Sequence, residues 1–277
     1  VIEPQYRQIA RVVQDVSGLV LGPDQGYLLS SRLGPVLRQN GLVDLMALAQ
    51  RLALPGATEL ARQVAEALTT NETSFFRDRL PFDHLAGTAL PRLAAARARG
   101  ATLRVWSAAC STGQEAYSVA MLAREVQGSL GGRRVSIFGT DICGKVINRA
   151  QEGVFSTFEV QRGLSPERLA RWFIPEGPNW RVQPGLREDC RFEVGNLIGQ
   201  ISVSGPFDVI LLRNILIYLD KQTKEQVVEA CLRRLAPDGV LYLGAAETML
   251  GLSTRVTPLP EYRGAYCFTG ALQGMPA

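Results

Sequence analysis

Two clusters of side chains in this 277-residue chain could do chemistry. The first is Asn71-Glu72-Thr73-Ser74-Phe75-Phe76-Arg77, where polar and cationic groups surround two aromatic rings. The second is Trp106-Ser107-Ala108-Ala109-Cys110-Ser111-Thr112-Gly113-Gln114-Glu115, which reads as a strand end, a turn of small residues and a helix start. Small residues let a polar ligand approach the backbone closely, although the full Gly-x-Gly-x-x-Gly pattern is missing. Asp141 lies 28 positions after Gly113, at the end of the next expected strand. A carboxylate there can accept both hydroxyls of a ribose. It can also cap the helix that follows, and the two roles are compatible. The chemistry implied is recognition of an adenosine moiety, with the first cluster folded over it as a lid.

Composition narrows the alternatives. His84 is the only histidine, so a Ser/His/Asp triad would depend on it alone. A helix-surface or capping role suits it better. The five cysteines (110, 143, 190, 231 and 267) are widely spread without a Cys-x-x-Cys pair. Reduced thiols are expected, with no metal site, which suits the cytoplasm. Val1-Ile2-Glu3-Pro4 lacks the basic-then-apolar pattern of a secretory leader. No apolar run approaches the roughly 18 residues of a membrane span, so membrane insertion is not expected. The net charge of +4 sits wholly in residues 71–153, which hold eleven basic and seven acidic side chains. Arg92, Arg97, Arg99 and Arg104 concentrate it, as an acidic partner would require or as a solvated helix face would also give. No basic patch interleaved with aromatics is present, so nucleic acid is not an expected partner.

The elements that must position these groups fall into two patterns. Residues 1–70 read as helices only, forming an N-terminal domain. Ile9, Val12, Val13 and Val16 follow helical spacing, as do Tyr27 to Leu37, Leu45 to Leu52 and Leu60 to Leu68. Residues 71–102 are expected to be a linker and lid. From 103 to 277, strands (103–108, 135–139, 207–212, 240–244) alternate with helices (115–126, 143–151, 223–235). That alternation predicts an α/β fold, a doubly wound and mostly parallel Rossmann-like sheet. Residues 153–195 break the rhythm with short strand-like pieces and turn residues, and read as a small inserted β-subdomain. Pro237-Asp238-Gly239 reads as a turn before the last of these strands.

In the first two clusters the sequence resembles the CheR family, chemotaxis-receptor glutamate O-methyltransferases that use S-adenosylmethionine. The resemblance extends in family order through Gly139-Thr140-Asp141-Ile142, Gly195-Asn196-Leu197, the run Phe207 to Tyr218 and Gly244-Ala245-Ala246-Glu247-Thr248. Gln114 and Ala116 depart from the Glu and Pro common in the family. The resemblance implies a Rossmann-like methyltransferase domain with an inserted β-subdomain, acting on cytoplasmic helices of chemoreceptors. It implies that Asn71, Thr73 and Arg77 contact the cofactor from the lid and Glu115 its methionine end. Asp141 would hold the ribose, with Asn196 and Leu197 beside the adenine. Arg213 and Asn214 would lie next to the reacting centre and Tyr218 along the methyl site. Arg99 is matched to an arginine that positions the substrate carboxylate, with Arg97 close enough to compete.

Two rival readings remain at this stage. A methyltransferase acting on adenine amino groups commonly carries an Asn/Asp-Pro-Pro-aromatic run, where this chain has Arg213-Asn214-Ile215-Leu216. A non-catalytic cofactor-binding scaffold would have no need of an intact tyrosine and arginine. Some family members dock a receptor C-terminal pentapeptide on the β-subdomain by strand addition. The short loop Ile174-Pro175-Glu176-Gly177-Pro178-Asn179-Trp180, with two prolines, predicts that this chain does not. Recognition would then fall to the helical domain and the arginines of 92–104.

Overall fold

Five short helices open the chain: α1 (Pro4–Ser17), α2 (Gly26–Arg32), α3 (Gly34–Gln39), α4 (Leu45–Leu52) and α5 (Thr58–Leu68). They belong to a computed structural model that describes residues 3–271 apart from 200 and 202. The single helix expected over 27–37 is two, because Pro35 cannot continue the α2 hydrogen-bond ladder and instead occupies the first turn of α3. Asp44 caps α4 by accepting from the Ala47 N–H at 2.8 Å. Ile9, Val13, Leu33, Leu48 and Val64 are fully buried in a core that these helices share among themselves.

After the lid come α6 (Leu80–His84), a π-helical turn (Leu85–Ala89) and α7 (Leu90–Ala95). Leu85, Leu90 and Leu93 pack into the same core as the central strands. Phe75 and Phe76 join that core as well, so the stretch expected to be linker and lid packs on the larger domain, and its 71–79 part borders the chambers described below. The sequence placed the whole of 71–102 outside that domain because its apolar residues carry no sign of which core they join.

The remaining elements are β1 (Thr102–Ala108), α8 (Gln114–Glu125), β2 (Arg134–Asp141) and α9 (Gly144–Glu152), then an insert. The insert holds β3 (Val154–Ser156), α10 (Thr157–Gln161), α11 (Pro166–Trp172), β4 (Phe173–Glu176), β5 (Asn179–Val182) and α12 (Pro184–Arg187). The chain closes with β6 (Cys190–Val194), β7 (Phe207–Leu212), α13 (Lys221–Leu232), β8 (Leu235–Leu243), β9 (Val256–Pro258) and β10 (Ala265–Phe268).

The large sheet has the order β6-β2-β1-β7-β8-β10-β9. β1, β2, β6, β7 and β8 run parallel, and β10 is antiparallel to both β8 and β9. The chain winds outward from β1 in one direction and resumes at β7 in the other, so the β1/β7 boundary is the topological switch point. The insert makes its own antiparallel sheet, β3-β5-β4. β6 lies outside it, pairing with β2, so the insert expected over 153–195 ends before Cys190. Alternation marks 190–194 as a strand but cannot say which sheet receives it. The turn expected at Pro237-Asp238-Gly239 is an irregularity inside β8 opposite Phe207 and Val209. β9 and β10 had no expectation in the sequence reading.

Candidate active site

Two adjacent chambers open at the carboxyl ends of β1, β2 and β7. The first is lined by Ser17, Leu19, Asn71, Asp141, Asn196, Leu197 and Tyr218, among others. The second is lined by Thr73, Arg77, Ser111, Glu115, Arg213 and Asn214, among others. Thr70, Ala109 and Ile215 line both, so the two chambers share a wall.

The floor is the turn between β1 and α8. Ala109, Ser111 and Gly113 all have positive φ (61°, 51° and 92°), which folds the turn tightly. A Cβ at Gly113 would stand 3.0 Å from that of Ala150, so the glycine is required for packing as well as for φ. Asp141 is 6% exposed and accepts from the N–H of Ser111 at 2.9 Å and of Cys143 at 3.0 Å. Burial raises its pKa, and these backbone donors oppose the rise. Each oxygen keeps a second lone pair, so helix-end capping leaves room for a ribose. Leu197 and Ile142 supply apolar wall beside it. Asn196 spends its side chain on the protein, donating to Val16 O at 2.7 Å and accepting from Ile198 N at 3.1 Å.

Arg213 is the organising cation of the second chamber. Its side chain is 1% exposed and it donates to Glu115 at 2.8 Å, Asp78 at 2.9 Å and the Arg77 carbonyl at 2.7 Å. Glu115 also accepts from Ser107 Oγ at 2.7 Å. The guanidinium thus joins the β7 end, the α8 start and the lid. The lid is fixed elsewhere too: Ser111 Oγ donates to Asn71 O at 2.8 Å, and Phe76 N donates to Ser118 Oγ at 3.0 Å. Arg77 donates to the Glu72 carbonyl at 2.9 Å and makes no ion pair among the described residues.

Glu247, to which the sequence reading gave no role, shapes the loop after β7. It accepts from Asn214 N at 2.8 Å, Leu216 N at 2.7 Å and Gly244 N at 2.7 Å. Asn214 has φ of 59°, a conformation that these bonds hold in place. Tyr218 ends the loop; its carbonyl accepts from Val20 N at 2.9 Å, which ties it to the helical domain. Its hydroxyl makes no hydrogen bond among the described residues. Glu247 stands in a quoted motif, but motif membership says nothing of which backbone groups a carboxylate will gather.

Arg99 is not brought to the site. It is exposed and precedes β1, whereas both chambers lie beyond the opposite end of that seven-residue strand. Seven strand residues span about 23 Å. Arg97 is at the same wrong end, paired with Asp208 at 2.5 Å and Asp238 at 2.7 Å. Arg104 donates to the carbonyls of Pro206 and Ser204 at 3.0 and 2.9 Å. Arg97 and Arg104 therefore clamp the amino-terminal edge of the sheet, away from the chambers. Counting back from Trp106 cannot reveal this, because the strand between reverses the side on which a residue falls. His84 is half-buried, with Nδ1 2.8 Å from the Tyr242 hydroxyl, rather than on a helix surface.

A sheet with one antiparallel strand set between two others at one edge, and an elongated chamber at its switch point, defines a Rossmann-like methyltransferase. Residues 71–263 match the family described as CheR methyltransferase, SAM binding domain. The chain is 38% identical over 251 residues to Chemotaxis protein methyltransferase Cher2 of Pseudomonas putida, covering 89% of this chain and 91% of that one. It is 39% identical over 244 residues to Chemotaxis protein methyltransferase 1 of Pseudomonas aeruginosa, covering 87% and 88%. With Chemotaxis protein methyltransferase of Escherichia coli it shares 34% over 260 residues, covering 92% and 88%. The chain belongs to the CheR family and is an S-adenosylmethionine-dependent methyltransferase. No helix among the described residues is long and apolar enough to cross a membrane.

Proposed function

We propose that this enzyme esterifies glutamate side chains on the cytoplasmic helices of chemoreceptors, forming glutamyl methyl esters and S-adenosylhomocysteine in the cytoplasm. The donor set of the chambers fits the cofactor. Asp141 offers free lone pairs for a ribose, Leu197 and Ile142 an apolar bed for adenine, and Glu115 and Asn71 polar contacts toward the methionine end. Arg213 and Asn196 act one step removed, holding Glu115 and the chamber wall. Bound S-adenosylmethionine supplies an electrophilic methyl group carried on a sulfonium.

The observation that carries the substrate assignment is an arginine without an ion pair in the second chamber and, in the adjoining one, a tyrosine hydroxyl without a hydrogen bond, both among the described residues. Two carboxylates near Arg77 in sequence could have neutralised it. Glu72 pairs instead with Arg162 at 2.6 Å and Asp78 with Arg213 at 2.9 Å. Arg77 thus keeps a charge for an incoming carboxylate, and it replaces Arg99 in that role. A free glutamate has a pKa near ~4.3, so the nucleophile arrives ionised and no general base is needed. Arg77 and the Tyr218 hydroxyl would hold one carboxylate oxygen while the other attacks, and the lid would exclude water. Positioning of this kind can supply on the order of 7–11 kcal/mol.

The test is transfer of tritiated methyl from S-adenosylmethionine to receptor cytoplasmic fragments. Label released as methanol by mild base supports a carboxyl ester. Base-stable label, or label on nucleic acid, would overturn the assignment.

A further inference from the structure

We infer that the inserted β-subdomain sets the cofactor lid and, through it, the position of Arg77, with Phe155, Phe173 and Gly163 as positioning residues. The 71–79 lid is not a relaxed loop. Phe76, Asp78 and Arg79 all have left-handed φ (50°, 67° and 47°), which non-glycine residues hold only when their surroundings impose it. Arg213 holds Asp78 from the sheet side, and the insert supplies the surroundings of the two rings that precede it. Phe75 is 1% exposed, and its ring meets Phe155 edge-on at 5.0 Å and Phe173 at 5.5 Å between centroids. Phe155 lies on β3 and Phe173 on β4, so a residue of the lid completes the aromatic core of the insert.

Three further contacts act on the same short stretch. The Arg168 guanidinium stands 4.0 Å over the Phe76 ring. Arg162 pairs with Glu72 at 2.6 Å. Gly163, with φ of 101°, leaves no room for a Cβ, which would overlap the Phe75 carbonyl. All of these partners lie in 155–173, on β3, on α11, at the start of β4 or in the α10–α11 link. The opposite side of the lid is held by Arg213, Ser111 and Ser118 of the Rossmann sheet and its helix. Arg77, which makes no such anchor with its own charge, follows directly from the two clamped rings. Its placement therefore depends on the insert through the two rings, as well as on the sheet through the carbonyl that Arg213 holds, whether or not that insert binds any peptide.

The inference rests on the role given to Arg77 above, and the test separates the two. Gly163→Ala and Phe155→Leu are compared with Arg181→Ala, which removes an exposed Glu176–Arg181 pair within the same subdomain. Affinity for S-adenosylhomocysteine is measured by calorimetry, and kcat and KM per active site by methyl transfer. We expect at least a tenfold weaker Kd and a tenfold lower kcat for Gly163→Ala and Phe155→Leu, and less than twofold change for Arg181→Ala. Arg77→Ala should lower kcat far less in the Gly163→Ala or Phe155→Leu background than in the native one. Folded variants with native Kd, native kcat and full additivity with Arg77→Ala would overturn the inference. A silent Arg77→Ala in the native background would instead overturn the substrate assignment. If Gly163→Ala does not fold, Phe155→Leu and Arg162→Ala decide between the same outcomes.

Discussion

Arg77 and Arg99 lie at opposite ends of the strand that separates them, and a pair of substitutions distinguishes their roles. Arg77→Ala should lower kcat by about 100-fold or more with little change in cofactor affinity, because a contact made mainly in the transition state is lost. Arg99→Ala should leave both unchanged, and Tyr218→Phe should behave as a milder Arg77→Ala. Steady-state kinetics with calorimetric Kd values checks all three. Asp141→Ala should weaken both S-adenosylmethionine and its demethylated product by about 1.5–3 kcal/mol, the scale of a charged hydrogen bond. It should also lower the melting temperature of the free enzyme, since the N–H groups of Ser111 and Cys143 lose their acceptor. Native affinity in a folded variant would remove Asp141 from the site. A strand-end carboxylate and a motif are local features, so sequence alone could place Asp141, Arg77 and Tyr218 at the chambers that they line, though it gave Arg77 a cofactor contact and not the substrate role proposed above. It was not enough for Arg99 or Glu247. Their roles depend on which edge of a sheet a residue reaches and which loop it faces, and both are set by tertiary folding.

At the scale of elements, α6 rests on β8 through the His84–Tyr242 contact. Burial lowers the His84 pKa below its usual 6.5; Glu261 opposes the shift and Arg92 adds to it. A base whose folded pKa is depressed contributes stability that is present above the unfolded value and lost as pH falls through the folded one. Stability should therefore decline as pH drops below about 6.5, where carboxylates remain ionised. His84→Gln should flatten that limb in urea titrations; an unchanged slope would place the effect elsewhere. The strand β4 makes a different prediction. Its hairpin to β5 turns at Gly177-Pro178, so only Pro175 interrupts the exposed edge, one proline rather than the two that the loop sequence shows. One missing donor at the middle of a four-residue edge leaves little for an added strand. Titration of the receptor C-terminal pentapeptide should give no measurable binding, and micromolar affinity localised to the insert would refute this. The alternating core strands and the helical amino-terminal region were legible from periodicity. The ownership of 80–95 and 190–194 was not, because an apolar pattern names a buried face without naming what buries it.

Over the whole molecule, the helical domain has its own core yet helps to wall the first chamber. Leu19 and Leu219 form an antiparallel bridge, Gln14 donates to Asp220 at 2.8 Å, and Asn196 donates to Val16 O at 2.7 Å. Ser17 and Leu19 line the first chamber directly. A fragment starting at residue 69 should keep the sheet, with a native-like far-UV spectrum for its strands, but bind S-adenosylhomocysteine at least tenfold more weakly. Equal affinity in the fragment would mean that the bundle serves the substrate alone. The bridge has a consequence for how such proteins can be recombined. The helical bundle looks like an exchangeable module, joined by one linker and buried around its own leucines. Its true boundary is conformational rather than sequential, since Leu19 and Val20 fit one particular loop at Tyr218 and Leu219. A bundle transplanted from a relative would keep this contact only if both sides of that bridge moved together. The unit of inheritance is thus split in two along the chain, roughly 200 residues apart.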